Sequence, residues 1–255
     1  MSTLKKLMRA NPGYTFTSQY CLAGDEWNTL LSFFNYYEQV FPGQGIVARL
    51  LVVFHDEHGG ELKVHQQEVA PGSTAQVDAR ELGVTQSRLV VVAAVAMANL
   101  EELAAGKFKI NASVPTSFYV TWDRANSARD MMHEWEGVAT QPRPANTTPH
   151  AGLKYSEQVA EYGLMVTNPN LTPSPGGKDL LVLRSATNGK TVARAEMDRL
   201  PPMGSKIIRL KDYFPNIDAQ LQEHDRMVID LTTSAQAAPL TAEWYKSGDF
   251  HFHHL

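Results

Sequence analysis

Apolar positions along this chain fall in short runs broken by Pro, Gly, Asn and Asp. The runs "ARLLVVF" (48–54) and "RLVVVAAVAM" (88–97) are continuously apolar and rich in β-branched residues. A strand covered on both faces reads this way. "LKVHQQEVA" (62–70) alternates in part, as a strand with one wet face does. "HDEHGG" (55–60) and "SATNG" (185–189) follow apolar runs and predict hairpin turns, because Gly and Asn accept positive φ. Helical periodicity is confined to two places. In "NLEELAAGKF" (99–108), Leu100, Leu103 and Ala104 share a face and Gly106 supplies a stop. "FPNIDAQLQEHD" (214–225) predicts one or two turns. The pattern as a whole predicts a mostly β protein.

The pattern also occurs twice, in the same order. "SFFN" (32–35) precedes the turn "FPGQG" (41–45), and "MVTN" (165–168) precedes "TPSPGG" (172–177). "RLLVVFHDEHGG" (49–60) corresponds to "DLLVLRSATNG" (179–189), and "VAPGSTAQVDAREL" (69–82) to "LPPMGSKIIRLKDYF" (200–214). "SRLVVVAA" (87–94) matches "DRMVIDLT" (225–232). "SFYVTWDRANSARDMMHEW" (117–135) matches "TAEWYKSGDFHFHHL" (241–255), with Trp122 opposite Trp244. An ordered set of such matches predicts internal duplication. Many short strands with regular turns then read as two tandem antiparallel β-sandwich, or jelly-roll-like, domains. The expected division is 1–137, a Pro-rich linker over 138–157, and 158–255. The helical insert near 99–106 is expected in the first copy alone, since the second has only "SAQAAP" (234–239) there. A bicupin-like double barrel is the rival arrangement, for it too joins two similar all-β halves.

Composition narrows the function classes. The chain of 255 residues has a net charge of −4 and a single cysteine, Cys21. No basic patch suggests nucleic acid, and no polybasic stretch suggests a membrane surface. One cysteine allows no internal disulfide, which fits a reducing compartment. "MSTLKKLMRANPGYTF" lacks the apolar core of a secretory leader. The expectation is a soluble, cytoplasmic protein. No phosphate loop, dinucleotide fingerprint or nucleophile elbow occurs, and Cys21 has no flanking signature of a thiol enzyme.

Two clusters remain as candidate chemistry. In "DFHFHHL" (249–255) a strand would place His251 and His253 on one face and Phe250 and Phe252 on the other. Paired imidazoles suit zinc, copper, nickel or iron. A complete site needs further ligands, for which Asp249, His133 and His224 are the candidates. The plain alternative is a terminal strand whose phenylalanines enter the core. The second cluster is aromatic: Phe34, Tyr36 and Tyr37 in "SFFNYYEQVF" (32–41), with Trp135 further on, would form a binding surface or fill a seam. "FHDEHGG" (54–60) reads as an exposed polar turn rather than a metal loop. The sum of these readings is a non-catalytic binding or assembly protein. It would work through a protein partner or as a homo-oligomer, with no cofactor expected and its small-molecule ligand, if any, unspecified. The alternative is a metal-dependent enzyme of double-barrel type using the C-terminal histidines.

Overall fold

The computed structural model describes residues 2–24, 26–105, 117–125, 129–133, 136–141, 144–173, 177–233 and 239–253. The chain gathers into two compact units. One comprises Met1–Ala125 with Met131–Val138, and the other Asn126–Asp130 with Ala139–Leu255. Among the described residues no helix is long and apolar enough to cross a membrane.

The first unit opens with helix α1 (Thr3–Ala10), whose N-terminus is capped twice. Ser2 Oγ accepts the Lys5 amide at 3.3 Å, and the Glu61 carboxylate accepts the amides of Thr3 and Leu4, each at 2.7 Å. Free amides at a helix start are satisfied by such acceptors. Strands β1 (Thr17–Tyr20) and β2 (Trp27–Phe34) follow, then the short helix α2 (Tyr37–Val40). The hairpin β3 (Ala48–His55) and β4 (Glu61–Val69) comes next, then β5 (Thr74–Asp78) and β6 (Leu89–Ala96). Helix α3 (Leu100–Ala105) falls where the periodicity placed it. Strands β7 (Phe118–Arg124), β8 (Arg129–His133) and β9 (Glu136–Gly137) complete the set. Two antiparallel sheets result, ordered β4-β3-β6-β1-β9 and β5-β2-β7-β8. The continuously apolar strands β3 and β6 lie side by side inside the larger sheet, and in β3 only Arg49 is exposed. Trp122 of β7 is fully buried, and its Nε1–H donates to the Tyr20 carbonyl of β1 at 3.3 Å, joining the two sheets.

In the second unit β10 (Asn146–Lys154), β11 (Val159–Thr167), β12 (Lys178–Ser185), β13 (Thr191–Asp198) and β14 (Ser205–Arg209) lead to helices α4 (Leu210–Tyr213) and α5 (Ile217–His224). Strands β15 (Arg226–Thr233), β16 (Leu240–Tyr245) and β17 (Phe250–His253) end it. The sheets run β10-β15-β12-β13 and β14-β11-β16-β17. One hydrophobic cluster draws on both: Leu164 and Ile208 from one sheet, Leu181 and Leu231 from the other, closed by Leu210, Ile217 and Leu221 of the helices.

The two strand orders coincide when nine is added to each strand number. β4-β3-β6-β1 becomes β13-β12-β15-β10, and β5-β2-β7-β8 becomes β14-β11-β16-β17; β9 is extra to the first unit. The local chemistry coincides as well. Asn35 follows the last residue of β2 and Asn168 the last of β11. Asn35 Nδ2 donates to the carbonyls of Val69 and Ala70 at 2.9 and 3.2 Å, and Asn168 Nδ2 to those of Leu200 and Pro201 at 2.9 and 3.1 Å. Six residues before each, a side-chain hydroxyl ties down the preceding connection. Thr29 Oγ1 bonds the amide and carbonyl of Leu22, both at 2.8 Å, and the Tyr162 hydroxyl donates to Lys154 O at 2.7 Å while accepting the Ser156 amide at 3.0 Å.

Three expectations change. Residues 146–154, counted as linker, form β10, and Leu153 is in the core. Pro149, one of three prolines with Pro142 and Pro144 that suggested a linker, sits where the β10–β15 register shifts, between Pro149 and Gly152. A residue without an N–H is tolerated at such an irregularity. Trp122 and Trp244 are not counterparts. Thr29 pairs with Trp122, but its equivalent Tyr162 pairs with Glu243. Trp244 therefore projects from the other face of its sheet, over Gly163, since a one-residue slip reverses the face. The aromatic run is not one strand: β2 ends at Phe34 and the chain bends at Asn35 into α2.

Candidate functional site

The bend at Asn35 decides which aromatic residues are available. Tyr37 is fully buried, and its hydroxyl donates to the Ala94 carbonyl at 2.9 Å. Burial pushes that phenol far above its ordinary range. Tyr36 is half-buried, with its ring centre 5.1 Å from that of Tyr37 and 6.4 Å from that of Phe33. Tyr37 therefore has no surface to offer, while Tyr36 keeps part of its ring exposed. Trp135 lies outside the described residues. Of the aromatic cluster, Phe34 remains on an open sheet face.

Phe34 has company there. The β2–β7 register sets Ser32 opposite Tyr119 and Phe33 opposite Phe118. Phe33, Phe118, Val120 and Trp122 point inward and are buried, so Phe34 and Tyr119 point outward. In β8, Met132 is buried and Met131 exposed. Phe34, Tyr119 and Met131 are 39 %, 50 % and 60 % exposed. Phe34 and Tyr119 thus stand on the outer face of β5-β2-β7-β8, and Met131 is exposed on the neighbouring strand β8. Sequence reasoning found Phe34 and missed the other two. The alternation of "FYVTW" (118–122) marks Tyr119 as outward, once Phe118, Val120 and Trp122 are taken as core.

The last strand behaves as the alternation predicts. Phe250 and Phe252 are buried, and His251 and His253 share the opposite side of β17. Their rings lie 5.1 Å apart at an interplanar angle of 23°. In the β16–β17 register Glu243 faces His251 and Thr241 faces His253. The Tyr245 hydroxyl donates to Glu243 at 2.7 Å, which holds that carboxylate in the sheet and pushes the phenol up to about 12. Asp130, which belongs by its contacts to this same unit, places Oδ2 at 3.4 Å from His251 Nδ1 and accepts the Phe252 amide.

The other proposed ligands are placed elsewhere. Asp249 accepts the Ser247 hydroxyl at 2.8 Å in the β16–β17 turn. His133 ends β8 in the first unit and is exposed, while its carbonyl accepts the Gln19 side chain at 2.6 Å. His224 ends α5. Among the described residues no group of three or more His, Cys, Asp or Glu is arranged to hold a metal ion.

At the β3–β4 turn, Asp56 Oδ1 accepts the amides of His58 and Gly60, both at 2.8 Å, so this carboxylate builds the turn. His55 is a different case: it is buried, and burial lowers its imidazole to about 4, against the opposing pull of Glu61 and Asp56. Cys21 is buried too, and burial pushes its thiol up to about 11, which makes it a poor nucleophile at neutral pH. No family model matches the chain, and no curated protein matches it.

Proposed function

We propose that this chain is a non-catalytic binding or assembly protein. It consists of two β-sandwich units related by internal duplication, and it engages a protein partner through the outer face of the first unit's four-stranded sheet. The carrying observation is that Phe34 and Tyr119 point outward from adjacent strands, with Met131 exposed on the next strand, β8. Large exposed apolar patches mark protein–protein contact sites. The nine-strand offset between the two topologies and the matching roles of Asn35 and Asn168 support the duplication. The common core of the second unit, drawn from both its sheets, supports the sandwich.

The test places a photo-crosslinking amino acid at position 119 and, as a control, at position 62, since Leu62 is 42 % exposed on β4 of the other sheet. The reading predicts a discrete adduct from position 119, either with a second copy or with one partner. It also predicts that Phe34→Ser together with Met131→Ser abolishes the adduct while the fold is kept. Equal labelling from both positions, or an adduct indifferent to those substitutions, contradicts it.

A further inference from the structure

The last strand carries one exposed and one half-buried imidazole on the same side, with a carboxylate close to the exposed one. His251 and His253 leave β17 on one side with ring centres 5.1 Å apart. A metal bound to one nitrogen of each, at about 2.0–2.1 Å, holds ring centres on the order of 5 Å apart. The separation is therefore already that of a chelate. The rings are nearly parallel, and the χ2 torsion of His253 is broad and soft, so that ring can adjust toward His251 while Asp130 holds the latter. The strand beneath is held in place by its register with β16 and by the buried Phe250 and Phe252.

We infer that His251 and His253 form a two-imidazole binding site for a borderline divalent transition ion, with Asp130 as the group that positions His251. The Asp130 carboxylate, 3.4 Å from Nδ1, favours the tautomer with the proton on Nδ1 and leaves the Nε2 lone pair for the metal. Metal-ligating histidines are oriented in this way by carboxylates. The His251 side chain is 53 % exposed, so the ion has access and keeps water in its remaining positions. Two neutral nitrogen donors with an open coordination sphere favour Cu²⁺, which leads the affinity order for such ligands over Ni²⁺ and Zn²⁺. Asp130 is a positioning residue here and touches no metal.

The experiment titrates Cu²⁺ and Zn²⁺ separately into the full chain, prepared without a histidine tag or metal resin, and records the electron paramagnetic resonance of the Cu²⁺ form. The expected result is one Cu²⁺ per chain, bound more tightly than Zn²⁺, with two nitrogen ligands in the spectrum. His251→Gln or His253→Gln should weaken binding at least about tenfold and leave one nitrogen. Asp130→Asn should weaken it by about 10- to 100-fold while both nitrogens remain. Asp130 also accepts the Phe252 amide, so the two glutamine variants decide the site if Asp130→Asn fails to fold. Cu²⁺ uptake unchanged in both glutamine variants, or no one-to-one binding in the parent chain, overturns the site. An Asp130→Asn chain that binds as tightly as the parent overturns the positioning role.

Discussion

Asn35 and Asn168 do the same work at the same point of two sheets. Each follows the last residue of a central strand, and each donates its side-chain amide to two successive carbonyls of the connection into the edge strand. Their backbone amides agree too: Asn35 N donates to Ser73 O at 2.9 Å, and Asn168 N to Gly204 O at 2.8 Å. A buried side-chain amide is the natural group here, because the carbonyls of a chain crossing between sheets have no ladder partner.

The turn that each asparagine holds has the same construction. Ser73 N returns to Ala70 O and Gly204 N to Pro201 O, with Pro71 and Pro202 at the first corner. The second corner is left-handed in both, with φ of 64° at Gly72 and 60° at Met203. Only glycine adopts this conformation without strain. Met203 accepts the strain in exchange for a buried side chain. A Cβ at position 72 meets nothing within 4 Å, so Gly72→Ala isolates the backbone term. It should lower stability by about 1–2 kcal/mol, and Gly72→Asn should lower it by less. Chemical denaturation of the two variants measures the difference.

Gly163 is required by space rather than by dihedral angle. A Cβ there would lie 2.6 Å from the Ile208 carbonyl oxygen and 2.6 Å from Trp244. Gly163→Ala should therefore destabilise the second unit by about 2 kcal/mol or more, as overpacking does. Adding Trp244→Ala should recover only part of the loss, because the Ile208 contact is backbone. A double-mutant cycle in denaturant gives the split.

His55 predicts an acid-side loss of stability. Folded, its imidazole stays neutral down to about 4; unfolded, it takes a proton near the ordinary 6.5. Between those values the unfolded chain holds more protons, so stability falls as pH falls. The contribution is fully present above pH 6.5 and is lost on approach to pH 4. Its size is roughly 3 kcal/mol. In His55→Leu the fall in stability between pH 6.5 and 4 should be smaller by about that amount, read from denaturation midpoints across a pH series.

How far the sequence reveals this fold depends on which residue carries the signal. β3 and β6 are legible because a strand buried on both faces has an uninterrupted apolar run. The pairing of "SFFN" with "MVTN" is legible because both runs end on the same clamp residue. α1 is not legible: Leu4 is its one buried residue, and its N-terminal cap from Glu61 is distant in sequence. β10 is hidden by Pro149, which is tolerated only because the ladder breaks there. At the candidate site, the alternation of "FHFH" fixes which residues share a face, and the structure agrees. The proximity of Asp130 to His251 has no local signature, since 121 residues separate them. The exposure of Met131 is equally silent, because "MM" gives no sign of which methionine is buried.

The central claim is that one strand plan, closed by one kind of asparagine clamp, is used twice. Native-state hydrogen exchange on Asn35→Ala and Asn168→Ala tests it most directly. Each substitution leaves buried carbonyls unpaired and should lower stability by about 2–4 kcal/mol. Asn35→Ala should lose protection first in Thr74–Asp78, and Asn168→Ala in Ser205–Arg209, the edge strands that the two clamps secure. Matching losses in those two strands are the predicted result. A loss in one variant with no counterpart in the other would contradict the account.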